Sequence, residues 1–486
     1  HHITKAPQAM AEAPYQLGLT SLTQETRHDA LPVHGQMPPW LQGTLVRNGP
    51  AKFEVGDRSY NHWFDGLAML HAFTFSEGRV GYANRFLNST SYAQAEATGA
   101  IQRSEFATDP CRSIFGRVMA MFRPQITDNA NINVMRLADQ YVALTETPLP
   151  IRFDPETLDT FGGMAYEDQV PGDITTAHPH VDPGSGTLYS YTTAFSKTST
   201  YQLYKLTPGS RTRTPLGSLA VDEPAYMHSF AMTEQHLILA AFPFVVNPLE
   251  LAFSGKPFIA NYHWRPERGT QFHVFDRTEG THLATCTGPA FFAFHHINAF
   301  VTGAGQIAVD LAGYPTAAVV DRLFLDRLRA GIGERAAADP WRFHLDLNAQ
   351  TARKEVLSDT GLELPRIDYA RVNGRPYRYV WGTGNRVPGH FTDQLVRIDV
   401  ATGQAKTWHT VGCYPGEPVF VARPGATTEG DGVVLSVVLD AAAETSFLLV
   451  LDAATLHEQA RATVPHPIPL GFHGQYLSGR ADTLHR

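Results

Sequence analysis

With 486 residues and a formal net charge of −8, the chain lacks the basic surplus that nucleic acid or strong attraction to anionic lipid would require. Its 43% hydrophobic and 11% aromatic content can fill a large core, and 40 glycines with 33 prolines favour many short strands over long helices. Three scattered cysteines (Cys111, Cys286 and Cys413) exclude a disulfide framework or a thiolate metal site and lead us to expect a reducing cytoplasm.

Residues 1–30 read as a polar N-terminal lead-in without the apolar run of a secretion signal. Residues 31–486 read as a single β-rich domain, since no linker divides them. No stretch reaches the ~20 uninterrupted apolar residues of a spanning helix. A turn-rich run over residues 34–50 ends in a short strand, and the aromatic turn Asn61-His62-Trp63-Phe64-Asp65-Gly66 precedes a strand over 69–75. Between Cys111 and Phe122, apolar residues recur at helical spacing, the usual mark of a core-packing helix. The strand Gln140–Leu144 then ends on Thr145-Glu146.

Beyond it a weak repeat begins, an apolar strand followed by Asp or Thr and a turn. It stands at Phe153-Asp154, Val181-Asp182, Leu206-Thr207, Phe275-Asp276, Leu345-Asp346, Ile398-Asp399 and Leu451-Asp452. Aspartate and glycine favour such hairpin turns. Four-stranded hairpin units closed in a ring form a β-propeller, which hides its sheet edges. A helical interruption is predicted over residues 318–333, lying across one face.

Histidines punctuate this pattern inside apolar strands: His178 and His180, His228, His295 and His296, and His473. From His178 to His228 is 50 residues, to His295 a further 67, and to His473 a further 178. For blades of ~40–50 residues plus loops, these are intervals of one, one and about three blades. Residues at the same place on successive inner strands converge on the ring axis, so one axial metal fits the spacing. The period of two lets only one of His295 and His296 face inward and cannot choose between His178 and His180. A core histidine bonded to a carbonyl is the alternative at each site. Imidazole suits zinc, copper, iron and nickel alike. Glu146, Glu363 and Glu417 stand among apolar or turn residues, where a carboxylate could accept the second N–H of a ligating histidine.

The runs RNGP (47–50), HWFDG (62–66), TDNANINV (127–134), AHPHVDP (177–183), MHSF (227–230), FHHINAF (294–300), YPGEPVFVARPGA (414–426) and PIPLGFHG (467–474) resemble the carotenoid cleavage oxygenases, notably the animal-type branch of β-carotene oxygenases and retinoid isomerases. The resemblance runs from about residue 31 to about 476. It implies an all-β fold, a seven-bladed β-propeller with a helical and loop cap over the active-site face. It implies Fe(II) on the axis held by His178, His228, His295 and His473, with Glu146, Glu363 and Glu417 behind them, and leaves His180 and His296 outside. Ile132 falls where the family often has a small residue beside the vacant iron position, and Phe64 and Phe106 would line a tunnel. Thr145 stands where stilbene-cleaving relatives typically have lysine, and Val301 where an acid is common.

The expected activity is O2-dependent cleavage of one polyene double bond of a carotenoid or apocarotenoid to two aldehydes, with central 15,15′ cleavage giving retinal. The rivals are an isomerase on the same scaffold, a stilbene-cleaving oxygenase and a non-catalytic metal-stabilised binding propeller. A cytoplasmic protein peripheral to the membrane would dock through apolar residues 114–122 (Ile114, Phe115, Met119, Phe122), rimmed by Arg112, Arg117 and Arg123, and residues 242–253 (Phe244, Val245, Val246, Leu249, Leu251).

Overall fold

In the computed structural model, which describes residues 13–111, 126–331, 338–386 and 391–478, the repeated aspartates have one job. Asp154, Asp276, Asp346, Asp399 and Asp452 each accept the backbone N–H two residues ahead, at 2.8–3.0 Å. Each thereby caps the hairpin between the third and fourth strands of one blade. The local signal is an Asx turn, and it recurs because the blades recur.

Seven antiparallel blades follow around the ring. Their innermost strands are Gly474–Ser478, Asn133–Leu137, His180–Val181 with Ile174–Thr175, Ala231–Met232, Phe292–Gly303, Glu363–Arg366, and Cys413–Pro415 with Val419–Ala422, numbered here as blades 1 to 7. Blades 4 and 5 are joined at their outer edges by one parallel pair, Thr287 with Thr351. Strands from both ends of the described residues close blade 1. Its C-terminal strand Gly474–Ser478 pairs with Gly43–Lys52, and Arg27–His28 adds the outer edge. Val33–Gly35 does the same for blade 7. Closure leaves no inner edge to aggregate.

Alternate residues on each strand pack between neighbouring blades. Leu237 and Leu239 of blade 4, both fully buried, meet Tyr191, Tyr201 and Leu203 of blade 3. The helical segment expected over 318–333 forms two short helices, Ala318–Arg322 and Leu325–Ala330; residues 332 and 333 lie outside the described residues. Phe324 breaks it because it is extended, bridging His62, while the Leu323 carbonyl accepts the Trp63 N–H.

The expected docking surface needs correction. Phe242, Phe244, Val245 and Val246 are buried, because Phe244–Val246 pairs with Tyr262–Trp264 and turns both faces into packing. Leu251 is half-buried, and Leu249 and Phe253 are exposed, at 64% and 67%, on the short helix Pro248–Phe253. The other half of that expectation, with Ile114, Phe115, Met119, Phe122 and Arg112, Arg117 and Arg123, lies outside the described residues, as does the helix predicted there. No helix among the described residues is long and apolar enough to cross a membrane.

Candidate metal centre

Every blade sends one side chain to the middle of the ring: His473, Glu146, His178, His228, His295, Glu363 and Glu417 in blade order. Most sit at the start of an innermost strand, while Glu146 follows the second strand of its blade, Gln140–Leu144. The four imidazoles come together so that one nitrogen of each lies within 4.8 Å of the others. His178 Nε2 is 3.1 Å from His228 Nε2, and His295 Nε2 is 3.2 Å from His473 Nε2.

Their outer nitrogens decide what the inner ones can do. His228 Nδ1 lies 2.5 Å from Glu146 Oε1, His295 Nδ1 lies 2.6 Å from Glu363 Oε1, and His473 Nδ1 bonds Glu417 Oε2. An ionised carboxylate only accepts, so each Nδ1 carries the proton and each Nε2 is a bare lone pair. Two such lone pairs facing each other at 3.2 Å, on His295 and His473, repel unless a cation lies among them. Neutral imidazoles with carboxylates behind them are the donor set of a divalent transition metal, so the residues present fit one.

The electrostatics agree. Burial drives the His473 imidazole down to about 4, against the upward pull of Glu417. Burial, then the neighbouring His473, His228 and His295, holds His178 well below its ordinary value. For Glu417 burial pushes upward but is outweighed by His473 and Arg366, leaving the acid at about 2 and therefore ionised. Glu363 is likewise lowered, burial being overcome by His295, Tyr314 and the Leu364 N–H.

Three further donors hold the glutamates, and the sequence reading missed them. Tyr226 donates its hydroxyl to Glu146 Oε1 at 2.7 Å, Tyr314 donates to Glu363 Oε2, and Arg366 donates to Glu417 Oε1 at 2.7 Å. Tyr226 stands two residues before His228, a spacing that could have exposed it. Tyr314 becomes visible only through the pairing of its strand with Phe292.

His180 and His296 stand outside the cluster. Both ring nitrogens of His180 are engaged, by the Tyr369 hydroxyl and the Phe230 carbonyl, each at 2.8 Å. His296 turns the other way, its Nδ1 2.9 Å from the Ser229 hydroxyl.

A cavity of about 1180 Å³ ends on His228, His295 and His473, with Phe64, Phe106 and Ile132 in its wall. The ring of Phe64 meets Phe106, Phe294 and Phe472 at centroid distances of 5.3, 5.6 and 5.4 Å. His62 sets that ring: its Nδ1 accepts the Phe64 N–H at 3.1 Å while its Nε2–H donates to the Val320 carbonyl. A second cavity of about 880 Å³ reaches the same centre and is lined by His178, Arg366 and Tyr369.

The description "retinal pigment epithelial membrane protein" matches residues 19–478. A carotenoid isomerooxygenase of Galleria mellonella is 35% identical over 93% of this chain and 94% of its own. A beta,beta-carotene 15,15'-dioxygenase of Rattus norvegicus is 34% identical over 92% and 88%. A solved variant of the Synechocystis apocarotenoid oxygenase is 28% identical, with a TM-score of 0.84 over 96% of this chain and 98% of its own. The cobalt-substituted form of that oxygenase gives the same TM-score of 0.84. The chain therefore belongs to the retinal pigment epithelial membrane protein family, the carotenoid oxygenases.

Proposed function

We propose that His178, His228, His295 and His473 hold Fe(II), that Glu146, Glu363 and Glu417 orient three of them, and that the chain cleaves one double bond of a carotenoid or apocarotenoid with O2. Both oxygen atoms end in the two aldehydes, so no external reductant is needed. Central 15,15′ cleavage to retinal is the regiochemistry proposed. The observation that carries this reading is the set of bare imidazole nitrogens at the end of an aromatic-walled cavity. Relatives named for carotenoid cleavage support it.

Bound Fe(II) would supply the electrons that O2 chemistry requires. The chain does the rest. Each glutamate fixes the Nδ1 proton of its histidine, and Tyr226, Tyr314 and Arg366 fix the glutamates. Phe64 and Phe106 offer π-faces to a polyene that gains cationic or radical character and help keep water from it. Ile132 narrows the wall beside the centre. At about 1180 Å³ the cavity exceeds the usual range for small ligands and suits a long polyene.

A coupled isomerisation is the second reading, favoured by the isomerooxygenase relative. Thr145 beside Glu146 offers no cation to a phenol, which disfavours a stilbene. Leu249 lines the cavity and is exposed with Phe253, so a peripheral protein could draw carotenoid from a lipid surface there.

Oxygen uptake and product masses with β-carotene and an apocarotenal test the reading. One O2 consumed per polyene, with two aldehydes, is expected. Conversion without oxygen uptake would make it an isomerase, and no conversion of any polyene would leave a binding propeller.

A further inference from the structure

Of the carboxylic acids in the cavity wall that take no part in holding the centre, Glu105, Asp109 and Asp173, only the first is buried. Glu105 is 6% exposed and lines the large cavity. Its contacts include none of the seven central side chains; Phe106, the next residue, packs on Tyr226 at a centroid distance of 5.9 Å. The loop is rigid. The Glu105 N–H donates to the Thr108 carbonyl at 2.8 Å, and Asp65 accepts the Ala107 N–H and the Thr108 hydroxyl.

The two carboxyl oxygens of Glu105 differ. Oε1 accepts the Thr127 hydroxyl at 2.7 Å. Thr127 could also donate to the Ser91 hydroxyl at 3.2 Å, since Ser91 donates to Asp128, but Glu105 Oε1 is the closer acceptor, and the Thr127 oxygen accepts the Asn129 N–H at 3.0 Å. The shorter contact makes Oε1 the carbonyl-like oxygen. Oε2 has no hydrogen-bond partner among the described residues. Burial, against the Thr127 hydrogen bond, together with the nearby Asp65 and Asp128, pushes the acid well above the ordinary carboxylate range. Glu105 is then a neutral acid with its O–H on Oε2, in a wall that is otherwise largely apolar. With no protein partner and a place in the cavity lining, that O–H is open to an occupant that accepts its proton.

We propose that Glu105 is a specificity-determining residue that donates a hydrogen bond to a hydroxyl or carbonyl oxygen at one end of the bound polyene. This rests on the polyene reading of the cavity. It selects carotenoids and apocarotenoids with an oxygenated terminus over the plain hydrocarbon.

Dissociation constants read by quenching of tryptophan fluorescence need no turnover. The probes are an apocarotenal, its alcohol and a hydrocarbon polyene of equal length. Glu105→Leu should lower the preference for the oxygenated ligands over the hydrocarbon roughly tenfold, the worth of one hydrogen bond. Glu105→Gln, which keeps an N–H donor on that side, should hold the preference within about threefold. An unchanged preference in Glu105→Leu overturns the proposal, as does a parallel loss for both ligand classes. Resonance Raman of the wild-type complex needs no variant: the bound aldehyde C=O stretch should shift down from its value in hexane, and an unshifted stretch overturns the proposal. Wild type that binds polyenes with this preference yet cleaves none would refute the dioxygenase reading alone.

Discussion

A bare imidazole nitrogen is made by what sits behind the ring, so outer and inner residues should fail in different ways. Replacing His178, His228, His295 or His473 by alanine removes one lone pair from the cluster, and elemental analysis should show iron lost from the purified protein. His180→Ala and His296→Ala should keep full iron, since their nitrogens already serve Tyr369, Phe230 and Ser229. Glutamine at 146, 363 or 417 keeps the shape but loses the charge, which should weaken iron retention or turnover ~10–100-fold. Glu417→Gln should be the most severe, because Arg366 then loses its carboxylate partner. Three glutamine variants with wild-type iron and turnover would remove these acids from the account. The four histidine-bearing stretches were legible from apolar flanks and blade-length spacing, but the choice of His178 over His180 and of His295 over His296 came from the family resemblance alone. Arg366 was not legible, since an arginine three residues after a glutamate is ordinary until the ring brings Glu417 against it.

Hairpin turns were the most legible elements, because Asp154, Asp276, Asp346, Asp399 and Asp452 act locally, on amides two residues away. The inner strands were harder to read. Ala231–Met232 and His180–Val181 are two residues each, too short for periodicity to show. The segment 242–253 misled for a related reason: an apolar run looks the same whether strand pairing buries it or a helix exposes it. Phe244–Val246 is paired, whereas Leu249 and Phe253 on Pro248–Phe253 are left outside. That contrast makes a sharp prediction for membrane docking. Leu249→Ser with Phe253→Ser should reduce liposome co-sedimentation severalfold without lowering the urea midpoint, because neither side chain packs in the core. Val245→Ser should instead destabilise the fold, by about 1–3 kcal/mol for a buried hydroxyl, leaving docking of the remaining folded protein unchanged. Equal pelleting of the double variant and wild type would exclude this helix as the contact.

Closing the ring also buries titratable groups outside the histidine cluster, and this sets how the whole molecule answers to acid. His62 is fully buried and His273 is 5% exposed. Burial lowers them to about 3 and about 4. In the unfolded chain both take up a proton near 6.5, the ordinary histidine value. Below that pH the unfolded state therefore binds more protons than the native one, and stability falls as pH falls. The loss begins near 6.5 and, for each histidine, continues until its folded value is reached. The slope approaches ~1.4 kcal/mol per pH unit per group. Asp65 works in the opposite sense, because burial raises it to about 6 and the native state takes up its proton first. The wild-type slope is thus a sum, and the difference from a variant isolates one term. His62→Gln can still donate to the Val320 carbonyl and accept the Phe64 N–H, yet it cannot titrate. Urea unfolding of the two proteins at pH 7.5, 6.5, 5.5 and 4.5 should show the variant losing less stability than wild type with each step below 6.5. Parallel curves would mean that His62 takes up its proton near 6.5 in the folded protein as well, at the expense of the bond its Nδ1 accepts from the Phe64 N–H.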